Sequence, residues 1–372
     1  MNPLLQHWAM MLHPPTLFIG YAGLAIPFAF AMGALIVNDS SKKWVEITDR
    51  ITLFAWLFLG AGNGLGAIWA YVVLGWGGYW AWDPVENASL LPWITGVGLI
   101  HSFTIYRRRG TFKRWTVVLA AVTFSLVILG TFIVRSGIVQ SVHAFQADPV
   151  SFYLFGFMII APLAAVAVGL FKRGATFDSD DEFESLTSKE SAYYFNNVLM
   201  LLAGVLIAYM TVSSALPAWM PFGGQSIGIT SYDLLARPIG IVYAFLLAVC
   251  PILLWRKTDG SQLWARVKWP LVAAVPIMAL LVWEWAAVLR PIYDAMVAAG
   301  GESARSFLAW GPSWVYHGIG LLGFLAAAFI ITTTGSLFIN GALARSKAKG
   351  ESFFASLGHI IIHSRKQSGG YI

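Results

Sequence analysis

The sequence predicts an all-α integral membrane protein, a polytopic helical bundle of about nine transmembrane helices with a tryptophan-rich loop facing the periplasm. Three observations carry that expectation. Hydrophobic residues make up 58% of the 372 and charged residues only 11%. A soluble domain carries roughly 25% charged residues, so this chain must use lipid as part of its solvent. Apolar stretches long enough to cross roughly 30 Å of hydrocarbon recur along the whole chain. Lysine and arginine alternate between the connections in the pattern that fixes sidedness.

The spans fall near 15–37, 51–74, 85–106, 115–134, 150–171, 192–213, 238–254, 269–289 and 314–338. One set of connections holds Lys42, Lys43 and Arg50; Arg107, Arg108, Arg109, Lys113 and Arg114; Lys172, Arg173 and Lys189; Arg256, Lys257, Arg266 and Lys268; and Arg345, Lys347, Lys349, Arg365 and Lys366. That set contains 20 of the 24 cations, and the opposite set only Arg135, Arg237, Arg290 and Arg305. The positive-inside rule makes the first set cytoplasmic; the expected location is a bacterial inner membrane. Residues 1–372 read as a single membrane domain, and 340–372 as a cytoplasmic tail with an interfacial helix. In that tail only about a dozen residues are continuously apolar, too few to cross.

Composition also excludes. The net charge of +6 comes from short basic clusters between apolar runs, so no nucleic-acid partner is expected. The lone cysteine, Cys250, rules out a disulfide framework, a Cys-x-x-Cys redox motif and a thiolate zinc site. Met1-Asn2-Pro3-Leu4 lacks a charged leader region, so it does not read as a signal peptide.

Given that sidedness, three segments share the outer face. Met11-Leu12-His13-Pro14-Pro15 opens the first span, and the two prolines are expected to stop a helix from extending back through His13. Between spans two and three runs Gly75-Trp76-Gly77-Gly78-Tyr79-Trp80-Ala81-Trp82-Asp83-Pro84-Val85-Glu86, with three tryptophans in seven residues. Between spans four and five lies Arg135 through Ser141 to His143, ahead of Asp148-Pro149, a plausible cap for span five. Two histidines at one depth beside an aromatic, glycine-rich loop suit one large planar ligand. Imidazoles bind haem iron from either side, aromatic faces pack the porphyrin, and Arg135 is placed to pair with a propionate. Each piece alone has a plainer reading. Tryptophans anchor membrane edges, Arg135 snorkels, and Asp83-Pro84-x-Glu86 is a capping box that would simply start a helix. The conjunction favours haem. His101 stands apart: it is 15 residues beyond Glu86, roughly 22 Å along a helix. It cannot share an iron with His13 or His143, and as an intramembrane histidine it reads as a ligand or a proton carrier.

The segment 76–102, Trp-Gly-Gly-Tyr-Trp-Ala-Trp-Asp-Pro-Val-Glu-Asn-Ala-Ser-Leu-Leu-Pro-Trp followed by Gly-Leu-Ile-His-Ser, resembles the WWD signature of haem-handling proteins. The Asp-Pro-Val-Glu-Asn-Ala-Ser extension and the Leu-Leu-Gln-His-Trp-Ala-Met-Met-Leu-His-Pro-Pro opening are similar to the CcmF family, the haem lyase subunits of cytochrome c-type biogenesis. The resemblance covers essentially the whole chain. It implies that His13 and His143 are the two periplasmic ligands of a haem b awaiting transfer. Trp76, Gly77, Gly78, Trp80, Trp82 and Asp83 would belong to its binding surface. His101 would be one ligand of a second, membrane-embedded b-type haem. It also implies delivery by the haem chaperone CcmE, cooperation with CcmH and CcmI, apocytochrome c with its Cys-x-x-Cys-His motifs as acceptor, and a quinol as a further partner. The family has further spans before the His-Pro-Pro segment and more chain beyond residue 372. The expectation is therefore a fragment or split subunit, with a companion chain carrying the C-terminal part and the second ligand of the membrane haem. His317 is expected at the outer edge, at the wrong depth for His101. Two other readings compete: a transporter moving haem or a precursor across the inner membrane, and a structural membrane subunit with incidental histidines.

Overall fold

In a computed structural model, described for residues 3–75, 78–141, 143, 148–179, 184–309 and 311–363, the chain is helical, with no strand among the described residues. The long helices are α1 (Trp8–Val37), α2 (Lys43–Val73), α3 (Pro84–Arg109), α4 (Lys113–Ser136), α5 (Pro149–Arg173), α6 (Lys189–Val212), α7 (Ile229–Val249) and α8 (Gly260–Glu284). A π-helical turn over Trp285–Leu289 leads into the short α9 (Arg290–Ala299) and α10 (Gly301–Leu308). Then come the long α11 (Ser313–Lys349) and the ten-residue α12 (Phe353–Ile362). Nine helical segments among the described residues are long and apolar enough to cross a membrane. They match the nine predicted spans one for one, and the chain is a multi-pass membrane protein.

The contacts divide the chain into two compact units, Met1–Glu182 with Phe195–Tyr232, and Phe183–Tyr194 with Asp233–Ile372. In the first, α1 and α2 approach closely because glycine lines their seam. A Cβ at Gly20 would sit 2.6 Å from Leu59 N, and one at Gly62 would sit 2.8 Å from Leu17 Cα. Small residues permit such backbone contact in membrane helices, where lipid gives no hydrophobic drive. A core of Leu35, Trp44, Leu99, Phe103, Tyr106, Val117 and Phe177 ties α1 to α5 together. Trp44 meets Phe103 and Tyr106 edge-on, and the Tyr106 hydroxyl donates to Ser40 O at 2.9 Å. At that end Arg107 pairs with Asp49.

In the second unit the connection before α6 is pinned to the one before α8. Thr258 N donates to Thr187 O, and Thr187 Oγ1 to Thr258 O, each at 2.9 Å. After α11 the chain forms the short α12. Ser352 caps it by accepting from Ala355 N at 3.2 Å, and Arg345 holds Glu351 through two contacts of 3.2 Å.

One local expectation fails. The prolines do not begin the first helix: α1 starts at Trp8 and carries Pro14 and Pro15 inside it. His7 takes the cap, its Nδ1 accepting from Ala9 N at 3.3 Å. The prolines remove two N–H donors, but a membrane helix tolerates them where neighbouring groups satisfy the freed carbonyls. His13 is therefore a helical residue in the second turn, not a residue of a preceding loop.

Candidate functional site

The site lies in the first unit, where α1 and α3 begin and α2 and α4 end. A cavity of about 240 Å³ is lined there by His13, Trp80, Arg135 and His143, all four expected from the sequence. This is below the usual range of ligand pockets, roughly 300–1,000 Å³. Phe18, Trp69, Tyr79, Asn63 and Glu86 also line it.

Both imidazoles are held by the same nitrogen. His13 Nδ1 lies 2.7 Å from Gly62 O on α2, across 49 residues of sequence. Its ring also packs on Gly66, where a Cβ would fall 2.7 Å from His13 Cε1. His143 Nδ1 lies 3.1 Å from Asp83 Oδ2. A carbonyl or carboxylate on one ring nitrogen fixes the tautomer and presents the other to a metal. Each ring thus offers Nε2 as the ligating atom.

Asp83 carries more than a cap. Pro84 and Glu86 complete the box: Asp83 Oδ2 accepts from Val85 N at 3.0 Å, and Glu86 Oε2 from Ala81 N and Asp83 N at 2.9 and 3.1 Å. The same Asp83 oxygen takes the Ser141 hydroxyl at 2.6 Å. Burial pushes the Asp83 carboxyl up, but bonds from His143, Ser141 and Val85 outweigh it and hold it below the usual carboxylate range. The bond to Asp83 raises His143 above the usual histidine value against its burial, helped by the charges of Asp83 and Glu86.

Some predicted residues stand elsewhere. Asp83 and Trp82 are not among the residues that line the cavity, and neither is Gly78. Trp82 adopts a left-handed backbone, φ 56°, which costs a non-glycine residue about 1–3 kcal/mol. Its carbonyl takes Asn87 Nδ2 at 3.1 Å, and its ring stacks on Tyr232 at 5.1 Å. Trp80 turns the other way, edge-on to Trp82, and into the cavity. Trp76 and Gly77 lie outside the described residues. His101 sits within α3, its Nδ1 2.8 Å from Asn196 Nδ2. In the second unit His317 is packed in aromatics: Trp285 Nε1 donates to its Nδ1 at 3.3 Å, and Tyr293 meets it edge-on at 4.6 Å. His359 and His363 stack at 5.1 Å. Among the described residues no three His, Cys, Asp or Glu side chains gather to hold a bare metal ion.

The cavity has marks of a site for a large, flat iron complex. It carries two anchored imidazoles, aromatic faces, one guanidinium, and two buried polar atoms without a partner, Trp80 Nε1 and Asn63 Oδ1. Sequence reasoning missed Gly62, Gly66, Asn63 and Ser141. Only Ser141, two residues before His143, left a local trace.

The family model described as cytochrome C assembly protein matches residues 1–140. The cytochrome c-type biogenesis protein CcmF of Haemophilus influenzae is 39% identical over 281 residues, covering 75% of this chain and 42% of its own. CcmF of Escherichia coli is 35% identical over 337 residues, covering 86% of this chain and 52% of its own. The chain thus spans about half the length of these relatives. A solved structure titled cytochrome c heme lyase CcmF matches with a TM-score of 0.64 and 25% identity. It covers 98% of this chain and 51% of its own.

Proposed function

This chain belongs to the CcmF family of cytochrome c-type biogenesis proteins, and from that premise we propose that its cavity holds haem b at the periplasmic face for attachment to apocytochrome c. The observation that carries the reading is the pair of imidazoles on one cavity, each with Nδ1 engaged by a protein acceptor. His13 and His143 would hold the iron. Trp80, Tyr79 and Phe18 would pack against the ring, and Arg135 would pair with a propionate. Asp83 positions His143 and does not touch the haem. When bound, the haem supplies the vinyl groups that accept the cysteine thiols of a Cys-x-x-Cys-His segment.

The protein's own contribution is positioning: it fixes the haem's orientation so that both thiols meet the correct vinyl carbons. No acid–base pair is required of it. The alternation of 20 cations against 4 supports a bacterial inner-membrane location with the tryptophan loop outside. On this reading CcmE delivers the haem, CcmH and CcmI present the reduced acceptor, and a quinol is a further partner. His101 ligates a second, membrane-embedded b-type haem.

The test is titration of the detergent-purified chain with hemin, followed by absorbance. A bis-imidazole spectrum is expected, with the outer-site haem lost in His13→Ala and in His143→Ala. If both variants bind like the wild type, the assignment fails.

A further inference from the structure

The buried polar residues of α3 include Asn87, Thr95 and Ser102, spaced eight and seven apart and so on one face of the helix. Thr95 makes a single rung, Thr123 Oγ1 donating to Thr95 Oγ1 at 3.0 Å. Asn87 Nδ2 donates to Trp82 O and to Thr211 Oγ1, each at 3.1 Å, and the Tyr232 hydroxyl donates to the same Thr211 oxygen at 3.3 Å. The third group alone ends on an imidazole. Asn197 Nδ2 donates to Ser102 Oγ at 2.8 Å, Asn196 Nδ2 donates to Asn197 Oδ1 at 3.3 Å, and Asn196 Nδ2 reaches His101 Nδ1 at 2.8 Å. Ser102, Asn196 and Asn197 are 0%, 4% and 0% exposed. Holding two helices together needs one rung, as at Thr95. A file of three buried polar side chains ending on an imidazole carries a desolvation cost that helix association alone does not require.

The file also has two directions. Rotating a side-chain amide by 180° exchanges its donor and its acceptor. As arranged, Asn196 donates to Nδ1, so the neutral imidazole carries its proton on Nε2 and has no lone pair there. Turning both amides over exchanges each amide's oxygen and nitrogen and reverses these three bonds. Ser102 then donates to Asn197, Asn197 to Asn196, and His101 Nδ1–H to Asn196 Oδ1, which frees the Nε2 lone pair. We infer that Asn196, backed by Asn197 and Ser102, is a positioning residue for His101. The file lets the ring pass from the Nε2–H tautomer when empty to the Nδ1–H tautomer when Nε2 ligates iron.

This rests on the reading of His101 as an iron ligand, and the experiment separates the two. The full chain carrying His143→Ala, which removes the outer haem, is labelled with 15N-histidine and studied in detergent. It is compared empty and loaded with reduced, diamagnetic haem, with imidazole supplied to fill the other axial position. The His101 nitrogen shifts, identified by their loss in His101→Ala, should change from the Nε2–H to the Nδ1–H pattern on loading. Two variants then read the haem midpoint potential. Asn196→Asp, a fixed acceptor, should shift it negative. Asn196→Leu, of similar volume and unable to accept, should shift it positive and lower haem occupancy several-fold. A merely structural role would not give opposite signs. The same tautomer in both states, or midpoint shifts of one sign or none, would overturn the inference while leaving His101 a ligand. Unchanged haem absorbance in His101→Ala would overturn both.

Discussion

Replacing Asp83 with asparagine separates two jobs of one side chain. Asparagine caps a helix about as well as aspartate, so the bond to Val85 N and the start of α3 survive. The charge facing His143 Nδ1 does not. A hydrogen bond to a charged group contributes about 1.5–3 kcal/mol. Loss of the partner behind a metal-bound histidine costs about 10–100-fold in affinity, or roughly 1.4–2.8 kcal/mol. The two routes agree, so hemin should bind Asp83→Asn about 10–100-fold more weakly under basic conditions. The pH profile carries the sign. Protonated His143 cannot ligate, so wild-type loading falls as pH drops through a His143 pKa raised above 6.5. Without the carboxylate that pKa relaxes downward, and the fall moves to lower pH, so the two affinity curves converge in acid. The apoprotein follows the linkage rule. The raised histidine contributes stability below 6.5 that is lost as pH rises through its folded pKa. The lowered carboxyl contributes above 3.8 and loses it as pH falls through its folded pKa. The pair is therefore fully stabilising between those two values, and the variant lacks that plateau. Hemin titrations by Soret absorbance from about pH 5 to 9, bracketing ordinary histidine titration, with thermal unfolding alongside, read both effects. Wild-type affinity with an unmoved pH midpoint would refute the role given to Asp83.

Gly66→Ala should improve helix propensity by about 1 kcal/mol yet weaken hemin binding, because the new methyl meets a His13 ring that Gly62 O holds in place; hemin titration beside thermal unfolding separates the two effects. A cysteine at Phe354, 81% exposed on α12, should react with an impermeant label only from the cytoplasmic side, and labelling from the periplasm would disprove the tail's topology. His317→Ala should leave the His101-dependent haem spectrum unchanged, since Trp285 and Tyr293 already engage that ring. Loss of the membrane haem in that variant would make His317 a ligand.

The helices were legible because lipid imposes a length and an apolar composition on each span, and because caps are local. Asp83-Pro84 and Asp148-Pro149 start α3 and α5 where the sequence says they should, with Asp148 accepting from Val150 N and Ser151 N at 3.1 and 3.2 Å. The start of α1 was misread, since a proline rule drawn from isolated helices omits the neighbours that satisfy freed carbonyls. Four of the expected site residues converge on one cavity; tryptophans alone are common at a membrane edge, and it was their conjunction with glycines and two flanking histidines that made the site legible. What each was bonded to was not legible. His13 meets Gly62 across 49 residues, His143 meets Asp83 across 60, and His101 meets Asn196 across 95. No periodicity encodes such pairings. Trp82 shows the same limit: its partner, Tyr232, stands at the start of α7, and nothing in the Trp-Ala-Trp-Asp string separates the tryptophan that faces the cavity from the one that clasps the loop.

The two expected ligands are held by different means, and the difference follows from their backbones. His13 sits in a continuous helix whose hydrogen-bonded frame fixes the direction of its Cβ. Gly66 lets the neighbouring helix approach close enough to wedge the ring, and a neutral peptide carbonyl suffices to set the tautomer. His143 has no such frame, because the chain between α4 and α5 leaves the helix at Gly137 with φ 67°. An imidazole on irregular backbone needs bonds from outside its own segment to hold one orientation. Asp83 supplies a charged one, and Ser141 bridges to it, its hydroxyl donating to Asp83 while its oxygen accepts from His143 N at 3.0 Å. Because Asp83 also caps α3, the orientation of His143 is tied to the start of that helix. A substitution that frays the first turn of α3 should therefore weaken haem binding even when it touches neither histidine.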